Sequence, residues 1–118
     1  MKIPKLLQIL VGGDLRSDGR SDEVVEKVLA DPSLLPELIR GLYVKDDVVR
    51  GRTADALEKV ARTHYRRCSP YLPQLLRIAK EDEVYMVRFH LAMLFGYVEV
   101  EGEMKKKVVD TLFDLLKD

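Results

Sequence analysis

Cysteine is nearly missing from this sequence of 118 residues: Cys68 stands alone, so no disulfide can form within the chain. A fold that holds without crosslinks fits a reducing compartment, and a cytoplasmic location is the expectation. An excess of either charge is also missing. Twenty acidic residues balance twenty basic ones, which argues against a dedicated nucleic-acid binder, since that class carries a net positive footprint. Long apolar runs are absent as well. The stretch from Leu6 to Val11 is too short to span a membrane or to serve as a secretory signal, and Gly12-Gly13 end it. Tryptophan does not occur, while 34 % of residues are charged, a balance in keeping with a thermophilic source. No long alternating pattern of apolar and polar residues appears, which excludes a mainly β architecture.

What is present is apolar periodicity at helical spacing along almost the whole chain. A first helix is expected over Pro4 to Val11, followed by a polar loop from Gly12 to Arg20. Ser21 or Asp22 can cap the next helix, whose stripe is Val24, Val25, Val28 and Leu29. Asp31-Pro32-Ser33 breaks it, and Leu35 to Tyr43 follows with Pro36 in its first turn. Asp46 or Asp47 caps a longer helix to about Thr63. Its apolar stripe includes Val49, Ala56, Leu57 and Val60, while Arg52, Asp55, Glu58, Lys59 and Arg62 are assigned to the wet side. Another helix begins near Pro73 and ends near Lys80. The segment Glu83 to Val98 is apolar nearly all round, interrupted by Arg88 and His90, and is expected in the middle of the structure. A last helix covers Glu103 to Lys117.

An internal repeat organises these helices. Leu35-Pro36-Glu37-Leu38-Ile39-Arg40 returns as Leu72-Pro73-Gln74-Leu75-Leu76-Arg77, a shift of 37 residues from Leu35 to Leu72. The same shift reaches Val109-Asp110-Thr111-Leu112-Phe113-Asp114, with matching apolar positions. In the longer helices, Val49-Arg50 returns as Val87-Arg88, with Ala54 matching Ala92 and Leu57 matching Phe95. Two helices per unit at this period indicate an α-solenoid, in which neighbouring pairs stack to bury their apolar faces. The expected fold is all-α: a short right-handed stack of about three helix pairs with six or seven helices, in one domain covering 1–118. The units fall at about 4–45, 46–82 and 83–118.

The segment Asp47-Val48-Val49-Arg50-Gly51-Arg52-Thr53-Ala54-Asp55-Ala56-Leu57 resembles the first-helix pattern of HEAT and HEAT-like repeats, with Val87-Arg88 through Gly96 as a looser copy. The stretch from Gly13 to Val60 also resembles small prokaryotic HEAT-repeat proteins with no assigned activity. The resemblance implies a structural role for Asp47, Arg50 and Arg88, as rungs of a polar ladder between adjacent repeats. The second unit departs from the pattern, because Asp82 lies further from Arg88 than Asp47 does from Arg50.

Motifs that would carry catalysis are lacking. Asp14, Asp18 and Asp22 superficially suggest a calcium loop, but Arg16 and Val25 stand where oxygen ligands are required. His64 and Cys68 are two candidate ligands where a closed zinc site takes four, and His90 is the only other histidine. HEAT-type metalloenzymes use paired His-Glu motifs, which do not occur here. Gly12-Gly13 lacks the residues of a phosphate loop. No enzyme activity, metal or cofactor is therefore expected.

Two surfaces are candidates for binding. Arg40 and Arg77 occupy the same position in successive units, near Glu37, Gln74 and Lys80, and the resemblance places such second helices on a concave groove. This favours a non-enzymatic interaction module that holds a protein partner. The alternative is a phosphate or nucleic-acid contact through Arg62, Arg66 and Arg67, since guanidinium groups fork onto phosphate. The last helix carries Val108, Val109, Leu112, Phe113, Leu115 and Leu116, more apolar surface than one neighbour covers, so the chain is expected to be a monomer or a weak homodimer.

Overall fold

The computed structural model of the protein describes residues 5–11 and 20–117. Those residues are all-helical and contain no strand. The first helix, α1, is a single turn at Lys5–Gln8, shorter than its apolar run suggested. A short isolated helix gains too few hydrogen bonds to offset its nucleation cost, so what holds this turn is tertiary. Leu7 and Leu10 are fully buried, and the Arg52 guanidinium donates to the Leu10 carbonyl at 2.9 Å.

Helix α2 spans Ser21–Ala30 and buries Val24 and Val28, with Asp22 and Glu23 at its positive end. Asp31 then accepts from the Ser33 backbone at 3.1 Å and opens a 3-10 turn at Pro32–Leu34, which leads into α3 at Leu35–Arg40. A second 3-10 turn at Gly41–Tyr43 closes this first unit. Glycine is required there. A Cβ on Gly41 would meet Thr53 Oγ1 at 2.2 Å and Leu7 Cδ2 at 3.0 Å, so the missing side chain lets α1 and the following helix approach.

Helix α4 runs Asp47–Cys68. Of the two candidate caps it is Asp46 that serves, accepting from the Val48 and Val49 amides at 2.9 and 3.2 Å. The sequence expectation of an end near Thr63 has a physical counterpart, because His64 leaves helical geometry (φ −138°, ψ 51°) and the last turn continues beyond a kink. The 3-10 turn Ser69–Tyr71 then leads into α5 at Leu72–Glu81. This copies the earlier turn-and-helix: Pro32 to Ser69 and Leu35 to Leu72 are both shifts of 37 residues. Helix α6 spans Tyr85–Phe95 and α7 spans Gly102–Leu116.

Helix α4 lies along α6 and α2 along α4, while α5 packs on both α6 and α7. The expectation for α6 needs correction, because the centrally buried helix is α4. Every residue from Gly51 to Glu58 is buried, whereas α6 exposes Tyr85, Phe89 and Met93. Helix α4 holds the centre despite its charges, because those charges meet partners within α4 and on neighbouring helices.

Candidate functional site

Residues assigned to solvent in the sequence form the main polar cluster of the interior. On α4, Asp55, Glu58, Lys59 and Arg62 recur at three- and four-residue intervals and so share one helical face. That face looks toward α2 and α6. Asp55 is 8 % exposed and Glu58 3 %. Burial of a carboxylate is costly unless it is paired, and both acids have close partners. Ser21 Oγ donates to Asp55 Oδ2 at 2.9 Å, and Lys59 Nζ lies 3.2 Å from the same oxygen. Arg62 holds Glu58 Oε2 at 2.6 Å. The other oxygens face α6, where His90 Nδ1 sits 2.9 Å from Glu58 Oε1 and 3.7 Å from Asp55 Oδ1. A hydrogen bond from the ring to the Glu58 carboxylate places the proton on Nδ1.

The network reaches the surface through its cations. Lys59 also donates to Asp22 at 2.7 Å and to Ser21 Oγ at 3.2 Å. Burial opposes the charge on Lys59, but its bonds to Asp22 and Asp55 outweigh that cost and hold its pKa above the ordinary lysine value. Arg62 is raised by its bond to Glu58 and then by Tyr97, over whose ring the guanidinium lies 5.7 Å from the centroid.

Ser21 therefore does not cap α2. Arg20 occupies the cap position without a side-chain bond, and the Ser21 hydroxyl is turned to Asp55 instead.

The arginine cluster proposed for phosphate is divided among separate tasks. Arg62 is held by Glu58, Arg66 lies against the Tyr65 ring at 5.8 Å, and Arg67 donates to the Leu29 carbonyl at the end of α2 at 3.3 Å. The groove candidates fare differently. Arg40, Arg77 and Lys80 are exposed, and among the described residues none of the three forms an ion pair. Gln74 donates to the Tyr43 hydroxyl at 2.6 Å, joining α5 to the end of the first unit. Glu37 is half-buried and lines a groove with Lys5, Gln8, Arg20 and Lys27.

The ladder residues take a form the spacing did not suggest. Arg50 pairs with Asp47 at 3.2 Å and, at the far end of the same unit, with Asp82. Asp82 also accepts from the Val84 amide at 2.8 Å, immediately before α6. Asp82 thus serves Arg50 of its own unit, while Arg88 is half-buried in α6.

The two-ligand idea at His64 and Cys68 gains no support. His64 bonds Thr63 at 2.8 Å, and the Cys68 thiol is fully buried, which pushes its pKa up to about 11. Such a thiol stays protonated and unreactive at neutral pH. The acidic loop at Asp14 and Asp18, and Gly12-Gly13, lie outside the described residues. Among the described residues, no helix is long and apolar enough to cross a membrane.

The sequence reading missed the joining of Asp55 and Glu58 to His90. A signal existed: a histidine on an otherwise apolar helix needs a polar partner, and α4 was the helix with acids to spare. No family model, curated protein or solved structure matches the chain.

Proposed function

We propose that this protein is a short right-handed HEAT-type stack that acts without catalysis, holding a protein partner on the face formed by α3 and α5. The observation that carries the reading is the pair Arg40 and Arg77. They stand at corresponding positions of repeated helices, both exposed and neither spent on an ion pair among the described residues. Unpaired guanidinium groups repeated along a surface suit a partner with acidic groups at matching intervals. Phosphate or nucleic-acid binding through Arg62, Arg66 and Arg67 is the weaker reading, because all three already serve intramolecular contacts. A weak homodimer through α7 belongs to the same proposal, since Val109, Phe113 and Leu116 stand exposed there.

The test is affinity capture from an extract of the source organism, followed by titration of the recovered protein. Binding should survive Arg66→Ala with Arg67→Ala and be lost in the double reversal Arg40→Glu with Arg77→Glu. The opposite pattern, with affinity falling steeply as salt rises, would transfer the function to the arginine cluster.

A further inference from the structure

We propose that Asp55, Glu58 and His90 form a binding site for a divalent transition-metal ion, of the zinc or manganese class, that joins α4 to α6. Each of the three residues offers one ligand atom, and these atoms converge within 4.8 Å of one another. Two donors about 2.1 Å from a shared metal ion sit roughly 3.0–3.4 Å apart in tetrahedral or octahedral geometry. The observed separations from His90 Nδ1, 2.9 Å to Glu58 and 3.7 Å to Asp55, bracket that spacing. Small side-chain adjustments would suffice to seat an ion where the Nδ1 proton now bridges, that proton exchanging through solvent onto Nε2 so that the neutral imidazole binds through Nδ1.

The surroundings prepare the donors. Ser21 and Lys59 hold the far oxygen of Asp55, and Arg62 holds the far oxygen of Glu58. Each carboxylate is thereby fixed with its remaining oxygen aimed at the imidazole. Such outer contacts are what orient ligands at metal centres. Lys59 and Arg62 balance the formal charges of Asp55 and Glu58 from their far oxygens, which keeps both carboxylates ionised and able to act as ligands. The donor set, one imidazole with two carboxylates, suits Zn²⁺ or Mn²⁺ better than Ca²⁺ or Mg²⁺, which favour oxygen alone. With three protein ligands the ion keeps an open position. This proposal is independent of the groove reading, because it concerns α2, α4 and α6 rather than α3 and α5.

The probe is Zn²⁺, titrated calorimetrically into the metal-free chain at pH 7.5, with Mn²⁺ and Mg²⁺ in parallel. One Zn²⁺ should bind per chain and raise the melting midpoint. Ser21→Ala should weaken binding roughly 10–100-fold, His90→Ala should abolish it, and His64→Ala should leave it intact. Circular dichroism checks that each variant is folded. Should His90→Ala not fold, nitrogen NMR of the wild-type imidazoles decides, because Zn²⁺ must shift Nδ1 of His90. The proposal is overturned by wild-type binding weaker than roughly 1 mM, by binding that survives in folded His90→Ala, by undiminished binding in Ser21→Ala, or by a shift confined to His64.

Discussion

Gly41 and Cys68 show how single atoms constrain this chain. At Gly41 the constraint is space: a methyl group would fall 2.2 Å from Thr53 Oγ1. Gly41→Ala should therefore lower stability by about 1–3 kcal/mol, the usual cost of overpacking, as read from the urea midpoint. At Cys68 the constraint is charge. Burial raises the folded thiol to about 11 from an ordinary value of 9.0. The fold favours the neutral thiol, so its contribution is complete below pH 9 and is lost as pH rises toward 11. That alkaline loss should reach about 2–3 kcal/mol and be smaller in Cys68→Ala, measured by urea unfolding across that range. A disulfide reagent at pH 8 should modify the native thiol far more slowly than the unfolded one.

Element by element, the joints between helices matter more than the helices' own propensities. Asp82 ends the link from α5 to α6 by accepting from Val84, and its buried carboxylate also pairs with Arg50 of α4. Asp82→Ala should cost roughly 1.5–3 kcal/mol, as expected for hydrogen bonds to a charged group. Asp47 pairs with the same arginine, yet its side chain is 65 % exposed. Asp47→Ala should change stability by less than about 1 kcal/mol, and thermal melting of the two variants separates these roles. A loss as large at Asp47 as at Asp82 would show that the buried pair with Asp82 contributes no more than the exposed one with Asp47. The existence of the helices was legible from the spacing of Val24 and Val28 or of Leu72, Leu75 and Leu76. Their joints were not, because the partner of Arg50 lies 32 positions away, at Asp82.

Among the described residues, most of the exposed large apolar side chains lie toward the C-terminal end of the chain, with Val11 and Tyr43 apart from them. Tyr85, Phe89 and Met93 follow one stripe of α6, and Val109, Phe113 and Leu116 one side of α7. Exposed positions contribute little to folding, so Phe113→Ser with Leu116→Ser should shift stability by less than roughly 1 kcal/mol. The same pair should reduce the rise of apparent mass with concentration in light scattering, if a second copy covers this end. A mass that stays monomeric in the wild-type protein at high concentration would remove the homodimer from the proposal.

Local order was set by the sequence alone: which segments are helical, where Asp46 and the Leu-Pro pairs start them, and the 37-residue return from Leu35 to Leu72. These follow from periodicity, capping and backbone restriction, which act over a few residues. Tertiary structure decided which faces meet, and with them the fate of each polar group. Asp55 and Glu58 are indistinguishable from surface acids within α4, and the arrival of Ser21 and His90 from other helices adds to Lys59 and Arg62 the partners that let them be buried. The apolar α6 lies nearer the surface than its composition suggested, because hydrophobicity measures what a helix can bury and packing determines what it does bury.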